Sequence, residues 1–191
     1  CLGHHARLLH RGEPDGLEGH FLAPTTGSQD WLEADLGEKW RILLDAWRTS
    51  PWASWSDSRV LAEDSFVRRL PRFRAFVLGV YAHSAVALNN EEFWEDLRFR
   101  SPLFASHTRT VTIEQLRAEA EWIGAIALGK ATRVLSDSAA AATLVPETVS
   151  EFIIQQDLTV LVPGPLEPAT HRTLASLADL ESPGLASVYR I

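Results

Sequence analysis

The chain has one cysteine, no methionine, two tyrosines and only two lysines, Lys39 and Lys130, among 191 residues. A lone thiol, Cys1, excludes an internal disulfide. No apolar run approaches the roughly 20 residues that a membrane-spanning helix needs, so the expectation is a soluble, cytoplasmic protein with no membrane partner. Basic charge is scarce, with 18 Lys and Arg against 25 Asp and Glu, a net charge of −7 and a pI near 5.5. That balance excludes a broad basic groove, because sequence-independent affinity for nucleic acid comes from neutralising phosphates. Any contact with DNA must be local. There is neither an initiating Met nor a charged-then-apolar leader, and the chain reads as a piece of a longer protein.

Catalytic signatures are missing too. His83, His107 and His171 stand isolated, and no GxSxG, HExxH or paired-carboxylate pattern occurs. The expectation is a non-enzymatic chain with no catalytic residue and no cofactor. Gly124-Ala125-Ile126-Ala127-Leu128-Gly129-Lys130-Ala131 matches the phosphate-loop spacing GxxxxGK, but Ala131 replaces the hydroxyl that would hold Mg²⁺. The segment also closes a helix and precedes a strand, the reverse of a phosphate loop. His4, His5, His10 and His20 lie near Cys1, yet no second ligand pair answers the His5…His10 spacing. Solvated histidines are the simpler reading, and no metal site is expected.

What the chain does contain is clearest at its end. Phe152-Ile153-Ile154 and Thr159-Val160-Leu161-Val162 are β-branched runs flanking Gln155-Gln156-Asp157, which predicts a hairpin. Pro163-Gly164-Pro165 stops the second strand, and Pro168 suits a first helical turn. Leu174, Leu177 and Leu180 then form one helical stripe, Ser182-Pro183-Gly184 ends it, and residues 186–191 read as a third strand. This β-β-α-β stretch resembles the module ahead of the motor in XPB-type DNA repair helicases. It is more similar still to actinobacterial helicase-associated proteins, through Gln156-Asp157-Leu158-Thr159, Pro163-Gly164-Pro165-Leu166 and Val188-Tyr189-Arg190. Trp40-Arg41, Ala46-Trp47 and Pro146-Glu147 carry the likeness more loosely upstream. The resemblance implies a part in DNA repair or replication alongside a helicase, with the ATP-driven motor elsewhere. It transfers no catalytic residue.

Between the ends, helical periodicity dominates. Leu36, Trp40, Leu43, Leu44 and Trp47 share one stripe after Asp30 and Glu33, with Gly37 a place where the helix can split. Trp31, Trp40, Trp47, Trp52 and Trp55 crowd this region. They read either as a stacking platform for bases or, for Trp40 and Trp47, as core. Leu70, Phe73, Val77 and Val80 predict a helix to about Ala87, residues 91–98 a second, and the Thr112/Gln115 capping box a third ending at Gly129. Residues 130–135 follow as a strand.

The fold class is thus α+β and mostly helical, with a winged-helix-like middle and a partial β-β-α-β module at the C-terminus. Residues 1–29 read as the tail of a preceding unit and a linker, 30–145 as the helical domain, and 146–191 as the terminal module. In a winged helix the third helix enters the major groove, but Glu114, Glu119 and Glu121 against Arg117 would repel phosphates there. The DNA-binding candidates are therefore Arg68, Arg69, Arg72 and Arg74, with Lys130 and Arg133 on the wing. Guanidinium forks suit phosphate oxygens; the plainer alternative pairs Arg68 and Arg69 with Glu63 and Asp64. The expected function is a DNA-binding accessory module, and its rival is a protein-interaction scaffold built on an acidic winged helix.

Overall fold

The structure is a computed structural model and describes all residues except 14, 17, 20, 56–60 and 185. It is α+β and mostly helical. The chain opens with α1 (Leu2–His5) and an antiparallel hairpin of β1 (Leu9–Gly12) and β2 (Phe21–Pro24), then α2 (Thr26–Glu33). The first 29 residues, expected as tail and linker, therefore carry ordered elements. These are too short to imprint a period on the sequence. Leu2 packs against the main core, and the Thr25 amide donates to the Leu8 carbonyl at 3.0 Å.

Helix α3 (Leu36–Thr49) starts at Asp35, whose carboxylate accepts from the Glu38 amide, a cap of a kind that stabilises a helix by about 1 kcal/mol. Gly37 does not split it. The residue is buried where α3 meets α9 (Ala141–Leu144), and a Cβ there would lie 2.6 Å from the Ala142 Cα. A short 3-10 turn at Glu63–Ser65 leads to α4 (Leu70–His83), then α5 (Asn90–Arg100), α6 (Pro102–His107) and α7 (Thr110–Trp122). Asn89 and Glu92 form a reciprocal capping box that opens α5 close to where the second helix was expected. The Thr112/Gln115 box is not used, because α7 starts two residues earlier.

After α7 the chain forms a two-residue hairpin, β3 (Ile126–Ala127) with β4 (Lys130–Ala131), and then α8 (Arg133–Ser136). The strand expected over 130–135 stops at Ala131. Thr132 turns the chain by donating its hydroxyl to the Gly124 carbonyl at 2.6 Å, and Arg133 opens α8. Four helices, α4 to α7, precede this hairpin where the winged-helix-like reading expected three. Their core joins Leu44, Trp47, Leu70, Val77, Phe93, Leu97, Ile113, Leu116 and Val134, each large side chain contributing about 1.5–3 kcal/mol by burial.

The terminal module holds β5 (Ile153–Ile154), β6 (Thr159–Val162), α10 (Pro168–Ala175), β7 (Asp179–Ser182) and β8 (Ser187–Arg190). Its sheet is antiparallel throughout in the order β5-β6-β8-β7. One strand more is present than expected: α10 ends at Ala175 and Leu180 lies on β7, leaving Leu177 and Leu180 exposed and Leu174 as the buried member of the expected stripe. Val160, Val162, Leu174, Ala178 and Tyr189 form a second, separate core cluster. The module meets the helical part through α10 and α2, where Arg172 pairs with Glu33 at 2.9 Å. The Gln29 amide and then Arg172 hold the Glu33 carboxyl below its ordinary range.

Candidate nucleic-acid interface

The arginine cluster divides when α4 forms. Successive residues turn by about 100°, so Arg72 and Arg74 point to opposite sides of the helix. Arg68, Arg69 and Arg72 are exposed, whereas Arg74 is 2 % exposed. Arg74 leaves the phosphate-binding set for that reason. Its guanidinium bonds Glu119 through Nε at 3.2 Å and Nη2 at 3.1 Å, donates to the Ser50 and Trp52 carbonyls, and lies 5.2 Å from the Trp47 ring centroid. Burial pulls its pKa down, and Glu119 opposes that pull.

Glu119 has no capacity left. It also accepts from the Trp47 indole at 2.9 Å and the Ser54 hydroxyl at 2.6 Å. Glu114 accepts from Arg117 and from the Trp94 indole, while Arg117 sits 4.2 Å from the Phe93 centroid and donates to the Tyr81 hydroxyl. Arg117 and Glu119 are thus bound inside the fold, Glu114 is half-exposed beside Arg117, and Glu121 is exposed. Of the three carboxylates expected to make this helix acidic, Glu119 faces the core, whereas Glu114 and Glu121 stay at the surface.

The other face of α4 is different. Arg69, Arg72, Phe73 and Phe76 recur at i, i+3, i+4 and i+7, one stripe of a helix. That stripe lies opposite Leu103, Phe104, His107 and Thr108 of α6 and its end, across a cleft of about 650 Å³. Phe76 and Phe104 stack with centroids 4.8 Å apart, Phe73 lies 5.2 Å from Phe104, and the Arg72 guanidinium is over the Phe76 ring at 5.5 Å. His107 Nδ1 lies 2.9 Å from the Leu103 carbonyl and 3.0 Å from the Ser106 hydroxyl oxygen. No acidic side chain lines this cleft among the described residues. Nor does any described carboxylate pair with Arg68, Arg69 or Arg72.

Lys130 and Arg133 are also exposed, Lys130 on β4 and Arg133 at the start of α8. The hairpin tip beside Lys130 is tied to the segment after α4, where the Leu88 amide donates to the Gly129 carbonyl at 2.7 Å. Arg68, Arg69 and Arg72 lie at the start of α4, a helix about 20 Å long by its rise per residue. The structure therefore separates Lys130 from the arginines. The tryptophans expected as platform or core pack inward for the most part: Trp47 is buried, Trp40 donates to the Ile123 carbonyl at 2.7 Å, and Trp52 packs edge-on to Phe66. Trp122, at 77 %, is the exposed one that periodicity does not single out.

The glycine-lysine segment binds its amides internally. The Gly124 amide donates to the Glu121 carbonyl and the Ala125 amide to the Ala120 carbonyl, whereas a phosphate loop keeps such amides free for oxygens. Calorimetry with Mg²⁺-ATP is expected to show no saturable heat. A micromolar dissociation constant abolished by Lys130→Ala would overturn this. Of the clustered histidines, His20 lies outside the described residues, and among the described residues no three His, Cys, Asp or Glu side chains gather as metal ligands would. No helix among them is long and apolar enough to cross a membrane.

Residues 152–191, from the start of the β5 segment to the end of β8, match the family model of a helicase conserved C-terminal domain. The match supports a helicase-related role and leaves the arginine-phenylalanine cleft outside it. No curated protein and no solved structure matches the chain.

Proposed function

We propose that this chain is a non-catalytic accessory part of a helicase-related protein, similar to the modules of XPB-type and actinobacterial helicase-associated proteins, and that it holds DNA through Arg68, Arg69 and Arg72. One observation carries this reading. On an acidic chain, three exposed guanidinium groups without carboxylate partners among the described residues gather at one corner, beside a cleft with no acidic lining. Local positive charge of this kind positions a phosphate backbone without a basic surface elsewhere. The helicase-type match at the terminal module supplies the setting.

Fluorescence anisotropy with labelled DNA at two or more salt concentrations tests the proposal. Replacing Arg68, Arg69 and Arg72 together by Ala weakens binding at low salt and flattens the salt slope by about one unit for each phosphate that is no longer neutralised. Arg133→Ala changes both less. An unaltered slope in the triple variant, or loss of binding in Arg133→Ala alone, overturns it. The second reading, a protein-interaction scaffold, is favoured by Trp122 standing exposed beside a shallow cleft with Ser54, Gln115 and Ala118. A chain of that kind shows no salt-dependent binding of DNA.

A further inference from the structure

We infer that the cleft between α4 and α6 receives an unpaired nucleobase, so that the chain selects single-stranded over double-stranded DNA. The inference rests on the DNA reading above and names the form of DNA. The stripe of α4 that would ordinarily be buried against a neighbouring helix instead lines an open space: Phe73 and Phe76 are only partly buried, and Leu103 opposite is 74 % exposed. At about 650 Å³ the cleft falls within the ~300–1,000 Å³ of small-ligand sites.

Its chemistry is that of a base-stacking site. Phe76 stacks on Phe104 and the Arg72 guanidinium lies 5.5 Å from the Phe76 centroid, so an unpaired base entering the cleft stacks on the side of this group that faces the open space. Phenyl rings and guanidinium planes are among the surfaces on which proteins stack single-stranded bases. Arg69 and the His107 ring stand on the rim for the sugar-phosphate chain and base edge. A base inside a duplex has both faces covered by its neighbours and offers the rings nothing. Duplex DNA would then reach the arginines through phosphates alone. The absence of any acidic lining residue among those described favours an anionic strand over a neutral apolar segment.

The test uses the full chain and a labelled thymidine strand of about 12 nucleotides, alone and annealed to its complement, with anisotropy read at one salt concentration. The single strand is expected to bind about fivefold tighter or more than the duplex, since one stacked base is sufficient for that ratio. Phe76→Leu keeps apolar volume and removes the ring; it is expected to lose that advantage while duplex affinity stays unchanged. Leu103→Glu, at an exposed position that does not threaten folding, is expected to weaken single-strand binding by placing a carboxylate at the cleft. A strand carrying 2-aminopurine adds a direct readout, its fluorescence quenched by the wild type and not by Phe76→Leu. Equal affinity for both DNA forms through the three arginines overturns this inference and leaves the proposed function standing. No binding to either form overturns both. Saturable binding of a labelled tyrosine-phosphorylated peptide, lost in Phe76→Leu, by a chain that ignores the single strand overturns it in favour of a protein ligand.

Discussion

Replacing Arg74 by Met should lower stability by about 3–5 kcal/mol in urea unfolding followed by tryptophan fluorescence, because the partner of a buried ion pair is left charged and uncompensated. That partner is Glu119, whose side chain is 11 % exposed and would retain only the Trp47 indole and the Ser54 hydroxyl. The same substitution strips donors from the Ser50 and Trp52 carbonyls, so the chain entering the loop after α3 loses its attachment to α4. The pair's net contribution is a separate quantity. Taking two charges out of water offsets much of their attraction, and an apolar replacement of both groups can be nearly neutral. The double variant Arg74→Met/Glu119→Leu should therefore recover a large part of the loss. If Arg74→Met costs no more than the ~0–1 kcal/mol of an exposed ion pair, the interior network is not what joins α3, α4 and α7.

Gly129→Ala should be the second large loss, about 2–5 kcal/mol from backbone strain and overpacking together, and three glycines compared show why. Gly129 has φ +73, which costs an L-residue roughly 1–2 kcal/mol. An added Cβ would also fall 2.3 Å from the Leu88 carbonyl oxygen and 3.3 Å from the Leu88 nitrogen. Neither neighbour is a flexible side chain, so the hairpin must move away and give up the Leu88–Gly129 hydrogen bond, adding ~1–3 kcal/mol of overpacking. Gly16, at φ +81 with nothing within 4 Å of the added carbon, isolates the backbone cost. Gly79, inside α4 with open space around it, isolates helix propensity, and Gly79→Ala should raise stability by up to about 1 kcal/mol. Thermal melts of the three variants should rank Gly129→Ala lowest and Gly79→Ala highest. If Gly129→Ala melts with Gly16→Ala, the approach to Leu88 is not a constraint.

Gly129 also shows what the amino-acid order makes legible and what it does not. The spacing GxxxxGK is real, but at Gly124 and Gly129 it serves two positive-φ positions around a hairpin. The helices α3, α4 and α7 are readable because each repeats apolar residues over three or more turns. Among the elements that escape, α1, β1, β2 and α8 have four residues each, too few to carry a period, and lack the β-branched runs that mark β6. β7 reads as helix because Leu174, Leu177 and Leu180 happen to be spaced by three, a pattern that chain reversal at Ser176 interrupts. The candidate site is half legible. Four arginines close together stand out by composition, but only the helical angle separates Arg74, which faces Glu119, from Arg69 and Arg72, which face the cleft. Phe73 beside them reads as part of the apolar stripe, Phe76 is not singled out, and the opposing wall is supplied by α6, a six-residue helix with no pattern of its own.

The strand order of the terminal sheet fixes a sequence of events in time. β8 lies between β6 and β7, so of these four strands the last to be synthesised is an inner one. Until Ser187 to Arg190 have left the ribosome, β6 and β7 have no hydrogen-bonding partner in common, and Val160 cannot be covered by Tyr189. The hairpin of β5 and β6 can form early, but with two residue pairs it is below the size that holds together in water. The β6–β8 and β7–β8 ladders therefore cannot form before the fourth strand is available. The helical part, whose core is complete by Ala141, has no such delay.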